Sequence, residues 1–322
     1  MKSSILTMEN IKCHFPIERG IFKTKQSVKA LDGVDLNIYE GDTFGLVGES
    51  GSGKSTLARV VAGLQRPTNG RVFFRGKDIT PLRNQESKAL KISDIQMVFQ
   101  DPYSSIDPRM LIGEIIEEPM LIAGWGKSER KKRTEELLEL VGLSKEAAKR
   151  YPHEMSGGQR QRVAIARAIA LKPKLVICDE SVSALDVSIQ AQILNLLDDL
   201  QTEFNLTYLF IAHDLGVVRH MSDVIGIMYL GEIVEKGMTE EVYQNPLHPY
   251  TKALVSMIPT IEHRIHNRER IVLKGEIPSP MKLPKGCRFH TRCPYKMKIC
   301  EDINPKLQEV EEGRLVSCHL FN

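Results

Sequence analysis

The sequence predicts an α/β fold built on a parallel sheet, and three observations carry that prediction. Helical and strand patterns alternate one for one from about residue 156 to residue 230, the order that produces parallel strands joined by helices. The short apolar run Thr43–Val47 opens into a glycine-rich stretch and then a helical pattern. The chain has 322 residues, 42% apolar and 26% charged, which is enough to build a sizeable core.

Taken in order, residues 1–45 read as strands, with Val28, Ala30, Val34, Leu36 and Ile38 in a rough period of two. A basic, irregular insert between Pro16 and Ser27 reads as a loop. Thr43–Val47 is apolar throughout, like a strand buried on both faces. A helix follows over Lys54–Leu64. Residues 85–155 read as mainly helical, with patterns at 110–122 and 128–141, breaks at Pro119, Gly124 and Gly126, and an apolar strand at Ile95–Phe99. Next come helix 156–171, strand 174–178, helix 188–204, strand 206–211, helix 214–221 and strand 223–230. From Pro246 the character changes. Eight prolines from Pro246 to Pro305 interrupt a stretch of weak periodicity, so 246–322 reads as a small appended region after a main domain of 1–245.

Several function classes are excluded. Net charge is +3, from 44 basic and 41 acidic residues, so nucleic acid is not expected as a partner. Mean hydropathy is −0.22, and no apolar run approaches the ~18 residues of a membrane span. The start, MKSSILTMENIK, lacks the apolar segment of a signal peptide. The expectation is a soluble, non-secreted protein that meets a membrane through a partner.

Gly48-Glu49-Ser50-Gly51-Ser52-Gly53-Lys54-Ser55 fits the Walker A pattern G-x-x-x-x-G-K-[ST], followed by Thr56. Glycines let successive backbone N–H groups turn inward on phosphate oxygens, and the helix behind adds its positive end. Lys54 is the candidate for the β- and γ-phosphates of ATP, and Ser55 for Mg²⁺. The strand Leu175-Val-Ile-Cys-Asp179-Glu180 ends in two acids at the carboxyl edge of the sheet, where ligands bind in such folds. Asp179 is expected to hold Mg²⁺, and Glu180 to orient or deprotonate the attacking water.

Ser156-Gly157-Gly158-Gln159 opens the helix 156–171. Ser156 is a good N-cap, but two glycines inside a helix cost roughly 0.8–1 kcal/mol each. A phosphate approaching the backbone would explain them. Here the chain resembles the ATP-binding cassette (ABC) family, whose signature LSGGQ begins with Met155 in this sequence. The resemblance covers residues 5–260. It implies a RecA-like P-loop core with an antiparallel β subdomain and a helical subdomain at about 101–165. By the same resemblance Gln100 is the Q-loop residue that senses Mg²⁺ and the γ-phosphate, and Ser183-Ala-Leu-Asp186 is the D-loop joining two ATP sites. His213 is implied as the switch histidine at the γ-phosphate. Phe15, with Phe22 in reserve, is the aromatic expected against adenine. Ser181 stands where many relatives carry proline.

Cys287, Cys293, Cys300 and Cys318 have the spacing C-x5-C-x6-C-x17-C, with His290 and His319 nearby. Disulfides are not expected in a reducing compartment. The donor chemistry leaves Zn²⁺ and a four-thiolate iron–sulfur cluster both open. Asn245-Pro-Leu-His-Pro-Tyr250-Thr-Lys-Ala-Leu254, Gly275-Glu-Ile-Pro-Ser-Pro280 and Gly286-Cys-Arg-Phe-His-Thr-Arg-Cys293-Pro294 are similar to the tail of oligopeptide/dipeptide permease ATPases. That resemblance implies a [4Fe–4S] cluster on the four cysteines, stapling a tail that lacks its own core. Cys13 and Cys178 read as ordinary buried residues.

The resemblance also implies a mechanism and an assembly. Two cassettes pack head to tail, and each ATP lies between one Walker A loop and the partner's signature helix. The partners implied are a second, non-identical ATPase subunit, two membrane permeases and, indirectly, an extracytoplasmic peptide-binding protein. The location implied is the cytoplasmic face of the cell membrane. The stretch 101–155, with Asp101-Pro102-Tyr103, is expected to grip a membrane helix. Import of nickel, or a soluble non-transport ATPase, are the alternative readings.

Overall fold

The computed structural model describes residues 3–17, 26–80, 93–101, 106–183, 185–258 and 270–321. Phe22, Pro102, Tyr103 and Ala184 lie outside the described residues, as does most of the basic insert. Two sheets organise the described chain. The smaller is antiparallel, in the order β2-β1-β4-β5, from β1 (Ser4–Ile17), β2 (Gln26–Tyr39), β4 (Asn69–Phe74) and β5 (Lys77–Asp78).

Its first hairpin departs from the simple alternation read in the sequence. The β1–β2 ladder shifts register near Val34 and again between Leu31 and Lys29, beside Gly33 at φ +99°. Such irregularities re-aim side chains because the strand period is two. Val34, Leu36 and Ile38 therefore enter the core together with Leu31, whereas Val28 and Ala30 turn toward a pocket.

The larger sheet runs β11-β12-β10-β9-β3-β8-β7-β6, its first three strands being β11 (Gln308–Glu311), β12 (Arg314–Val316) and β10 (Glu232–Met238). Its parallel centre is β9 (Val224–Tyr229), β3 (Thr43–Val47), β8 (Thr207–Ala212), β7 (Leu175–Asp179) and β6 (Ile95–Val98). Every residue of β3, β7 and β8 is buried, as expected of strands covered on both faces. One face meets α1 (Lys54–Val61) and the antiparallel sheet. The other meets α2 (Ile112–Ile122), α3 (Lys127–Leu140), α4 (Gly157–Ile169), α5 (Val187–Phe204) and α6 (Leu215–Met221).

Pro119 does not break its helix as expected: α2 runs through it to Ile122 and is capped by Ala123, just before Gly124 at φ +84°. An interior proline costs ~3 kcal/mol. The helix buries Ile112, Ile115, Ile116 and Met120, each worth about 1.5–3 kcal/mol, so packing outweighs the lost hydrogen bond.

The tail joins the main sheet. After β10 (Glu232–Met238), α7 (Thr239–Gln244) and α8 (Pro249–Ser256), the chain passes α9 (Ile299–Asp302) and forms β11 (Gln308–Glu311) and β12 (Arg314–Val316). Strand β12 pairs antiparallel with β10. Glu235 and Arg314, both buried, pair across that edge at 2.7 Å.

Candidate active site

The carboxyl ends of β3, β6, β7 and β8 converge, the position at which open parallel sheets bind ligands. The glycine loop leaves β3 and ends in Gly53, which precedes α1 at φ +112°. A Cβ on Gly53 would strike the Ala30 carbonyl, and one on Gly48 the Met228 carbonyl. Both positions therefore require glycine for close backbone approach. Lys54 Nζ donates to the carbonyls of Gly48 at 2.7 Å and Glu49 at 3.1 Å. Burial lowers the Lys54 pKa, against the opposing pull of Glu180, Asp179 and Glu49. The Ser55 hydroxyl donates to Asp179 Oδ1 at 3.0 Å. Burial raises the Asp179 pKa, and Glu180 adds to it, while the Ser55 bond lowers it. Two oxygens on one buried acid and one helix N-terminus form a hard-donor pair suited to Mg²⁺.

Glu180 follows β7 in a left-handed conformation, φ +48°, a strained state for a residue with a Cβ. Its N–H is held by the Ile211 carbonyl at 2.9 Å. Its carboxylate accepts from Gln100 Nε2 at 2.7 Å and lies 3.8 Å from His213 Nδ1. A pocket of about 430 Å³ is lined by Ser50, Gly51, Gly53, Lys54, Ser55 and Thr56 on one side and by Gln100 and Glu180 on the other. Phe15, with Val28, Ala30 and Pro280, forms its apolar wall. His213 opens on an adjoining cavity shared with Glu180, Ser183 and Asp214.

The remaining expected residues stand elsewhere. Gly48, Glu49, Ser52 and Asp179 support the pocket from behind its lining. Ser156, Gly157, Gly158 and Gln159 are not part of its lining. Ser156 Oγ accepts from the Gln159 N–H at 3.3 Å, and Gln159 Oε1 accepts from the Ser156 N–H at 3.1 Å, so the pair caps α4. Of the two glycines for which a phosphate approach is expected, Gly158 has a packing reason of its own. A Cβ on Gly158 would meet Ile189 Cγ2 at 2.6 Å, so this glycine is required by packing of α4 on α5. A Cβ on Gly157 meets nothing closer than Leu185 at 3.7 Å, so its backbone is open to an approaching group. Asp186 caps α5, accepting from the Ile189 N–H at 2.9 Å.

The tail supplies residues that the sequence reading missed. Arg292 grips Glu49 with two bonds, of 2.6 and 3.0 Å. The Glu49 N–H donates to the Tyr250 hydroxyl at 2.9 Å. Pro280 lines the pocket and accepts from the Lys29 N–H at 3.3 Å. No spacing rule announces contacts across such distances in sequence, although Tyr250, Pro280 and Arg292 all lie in the quoted tail motifs.

Cys287, Cys293, Cys300 and Cys318 line one small enclosed cavity together with His290 and His319. All four are unpaired thiols. Burial pushes Cys287 up to about 11, and its three companion thiols add to the rise. Burial likewise raises Cys293 and Cys318. Among the described residues no group of three or more His, Cys, Asp or Glu is gathered closely enough to hold a metal ion as it stands. The donor set nevertheless fits a thiolate-bound group: Cys287, Cys293 and Cys318, whose thiols burial keeps protonated, would ionise against a cationic centre. Cys13 and Cys178 are buried, and burial holds Cys178 up at about 12.

A second cleft, of about 490 Å³, lies between α2, α4 and β6, with Leu64, Phe99, Ile122 and Arg167 among its walls. Ile122 and Leu64 are exposed apolar side chains at its rim. No helix among the described residues is long and apolar enough to cross a membrane.

Comparison with known proteins agrees with this geometry. Residues 31–183 match the ABC transporter family, and residues 234–300 match the oligopeptide/dipeptide transporter C-terminal region. The chain is 52% identical to the oligopeptide transport ATP-binding protein AppF of Bacillus subtilis, over 100% of this chain and 98% of that protein. It is 46% identical to the dipeptide transport ATP-binding protein DppF of Escherichia coli, over 99% and 95%. Among solved structures it resembles the ATP-binding cassette MJ0796, a post-hydrolysis dimer bound to ADP and Pi, with TM-score 0.65 and 30% identity over 73% of this chain and 98% of that one. It also resembles cbiO1 of Clostridium perfringens, part of the transporter complex cbiONQ, with TM-score 0.65 and 27% identity over 76% and 92%.

Proposed function

The chain belongs to the ATP-binding cassette transporter family, and from that premise we propose that it is the ATP-hydrolysing subunit of a membrane importer of di- and oligopeptides. Full-length relatives named for oligopeptide and dipeptide transport support the peptide reading over nickel. One observation carries the catalytic reading: Lys54, Ser55, Gln100 and Glu180 line a single pocket, with Asp179 bonded to Ser55 behind it.

In this reading the loop Gly48–Thr56 binds the triphosphate and Phe15 stacks on adenine. Ser55, Asp179 and Gln100 hold Mg²⁺, which supplies charge neutralisation at the β- and γ-phosphates when bound. Glu180, aimed by Gln100, orients or deprotonates the attacking water. His213 steadies the γ-phosphate side of Glu180. Ser156–Gln159 and Asp186 act in trans, on the nucleotide of a second, non-identical cassette. The open backbone at Gly157 and the exposed end of α4 suit that task.

Residues 1–245 form the cassette, 246–322 the extension, and about 101–165 the helical arm. The cleft beside α2 receives a cytoplasmic helix of one of two permease subunits, which places the protein peripherally on the cytoplasmic face of the membrane. An extracytoplasmic peptide-binding protein delivers the solute. The four cysteines hold a [4Fe–4S] cluster, with Zn²⁺ the alternative; such a group would staple the tail. The test is co-purification with the permease subunits and reconstitution in liposomes. Peptide-dependent ATP hydrolysis with peptide uptake is expected. Uptake of nickel but not peptide, or ATPase activity indifferent to permeases and peptide, would overturn the reading.

A further inference from the structure

We propose that the cysteine loop braces the phosphate loop, with Arg292 as a positioning residue that acts through Glu49. The inference rests on the nucleotide-site reading above and adds to it a determinant of nucleotide affinity outside the cassette. Arg292 immediately precedes Cys293, and its side chain is only 7% exposed. Its guanidinium engages both oxygens of Glu49. A fork on a carboxylate fixes orientation as well as distance, which a point charge does not.

Glu49 is held at each of its polar groups. Its carboxylate is on Arg292, and its N–H donates to the Tyr250 hydroxyl. Its carbonyl accepts from Lys54 Nζ at 3.1 Å and from the Ser52 N–H at 3.1 Å. Glu49 thus links the tail to the lysine that meets the phosphates. The ring of Tyr250 packs on Phe289, from the same cysteine loop, with centroids 5.5 Å apart. Arg288, next to Cys287, binds Asp32 at 2.6 Å, in the strand that carries Val28 and Ala30 of the pocket lining. One loop therefore holds two segments that line or support the pocket, the phosphate loop and β2. A pre-ordered loop does not lose that freedom when nucleotide binds, so the order of the cysteine loop sets nucleotide affinity.

The test uses the full chain and measures Mg·ATP affinity together with KM and kcat for Arg292→Met, Arg292→Lys, Glu49→Gln and the double variant Glu49→Gln/Arg292→Met. Thermal melting and metal content of each variant serve as folding controls. Arg292→Met is expected to raise Kd and KM about tenfold while kcat at saturation changes less than threefold. Arg292→Lys should recover only part of that loss, and the double variant should be no worse than Arg292→Met. Should Arg292→Met fail to fold, Glu49→Gln alone must show the same KM-selective loss. A Kd within twofold of the parent in Arg292→Met and Glu49→Gln, or single effects that multiply in the double variant, would overturn the brace. Lys54→Ala separates the two readings. If the parent binds ATP and Lys54→Ala does not, while Arg292→Met binds like the parent, only the brace fails. If the parent and Lys54→Ala bind alike, the nucleotide site itself is misassigned.

Discussion

Replacing Glu180 by glutamine removes the proposed base with almost no change of shape. The carboxylate sits 2.7 Å from the Gln100 amide. A glutamine amide oxygen can accept that same bond, so the left-handed turn at residue 180 and the Gln100 loop should hold their positions. What disappears is the proton acceptor, whose contribution in general-base catalysis is about 10²–10⁴-fold, equivalent to about 3–5 kcal/mol of activation free energy. Ground-state binding should move the other way. Glu180 is a negative charge within reach of Lys54, and it repels a triphosphate docking on that lysine. The expected split is a kcat at least about 100-fold lower with Mg·ATP bound as tightly or more tightly. Single-turnover hydrolysis and equilibrium binding measure the two halves separately. Turnover within fivefold of the parent would remove Glu180 as the base. A tenfold weaker Kd with unchanged kcat would make it a structural residue instead.

Three further outcomes follow from buried groups. Arg314→Met strands the buried carboxylate of Glu235, which then keeps only the N–H groups of Leu247 and His248. Breaking such a pair costs about 3–5 kcal/mol, so the tail should be cut by protease far faster than in the parent, and Glu235→Gln/Arg314→Met should recover part of the loss; equal cleavage rates would refute this. His248 is buried and neutral, and burial lowers its pKa from 6.5 to about 3. The unfolded chain then binds a proton that the folded chain refuses, so stability is lost as pH falls from 6.5 toward 3, by up to about 1.4 kcal/mol per unit. Urea melts of parent and His248→Gln across that range should show a shallower slope for the variant. Anaerobically purified protein should absorb near about 400 nm and carry about four iron atoms per chain, and colourless protein holding zinc would reverse the choice of metal.

What was legible in the sequence is what short-range physics dictates. The strand–loop–helix around Lys54 and the two acids closing β7 are contiguous, so their chemistry could be read from neighbours within ten residues. Gln100 and His213 are each one residue at a strand end and became readable only through family resemblance. The bulge beside Gly33 was hidden because a register shift changes which side chains face inward without changing composition. Pro119 misled because local propensity was outweighed by the burial of four large neighbours on α2. Gly158 carries the same lesson in reverse, since its reason is Ile189, thirty-one positions later on another helix.

The tail was least legible because long-range contacts order it, ion pairs among them. Its β-pairing to the main sheet is short, Leu315 and Val316 against Glu235 and Lys236, with the Ser317 N–H on the Val234 carbonyl at 2.8 Å. Its own apolar cluster is small, centred on Leu247, Val316 and Cys318. Beside the packing of Tyr250, Val255 and Phe289 into the main core, three arginines with buried side chains tie the tail down: Arg314 on Glu235, Arg288 on Asp32 and Glu232, and Arg292 on Glu49. Each partner lies in the cassette, 56 to 256 residues away, and an ion pair leaves no periodic trace in sequence. Buried pairs of this kind add little net stability over apolar packing but are expensive to break. They therefore act as locks on register more than as glue. A tail held by such locks has one seating on the cassette, and that seating puts Arg292 on the phosphate loop and Pro280 on the pocket wall.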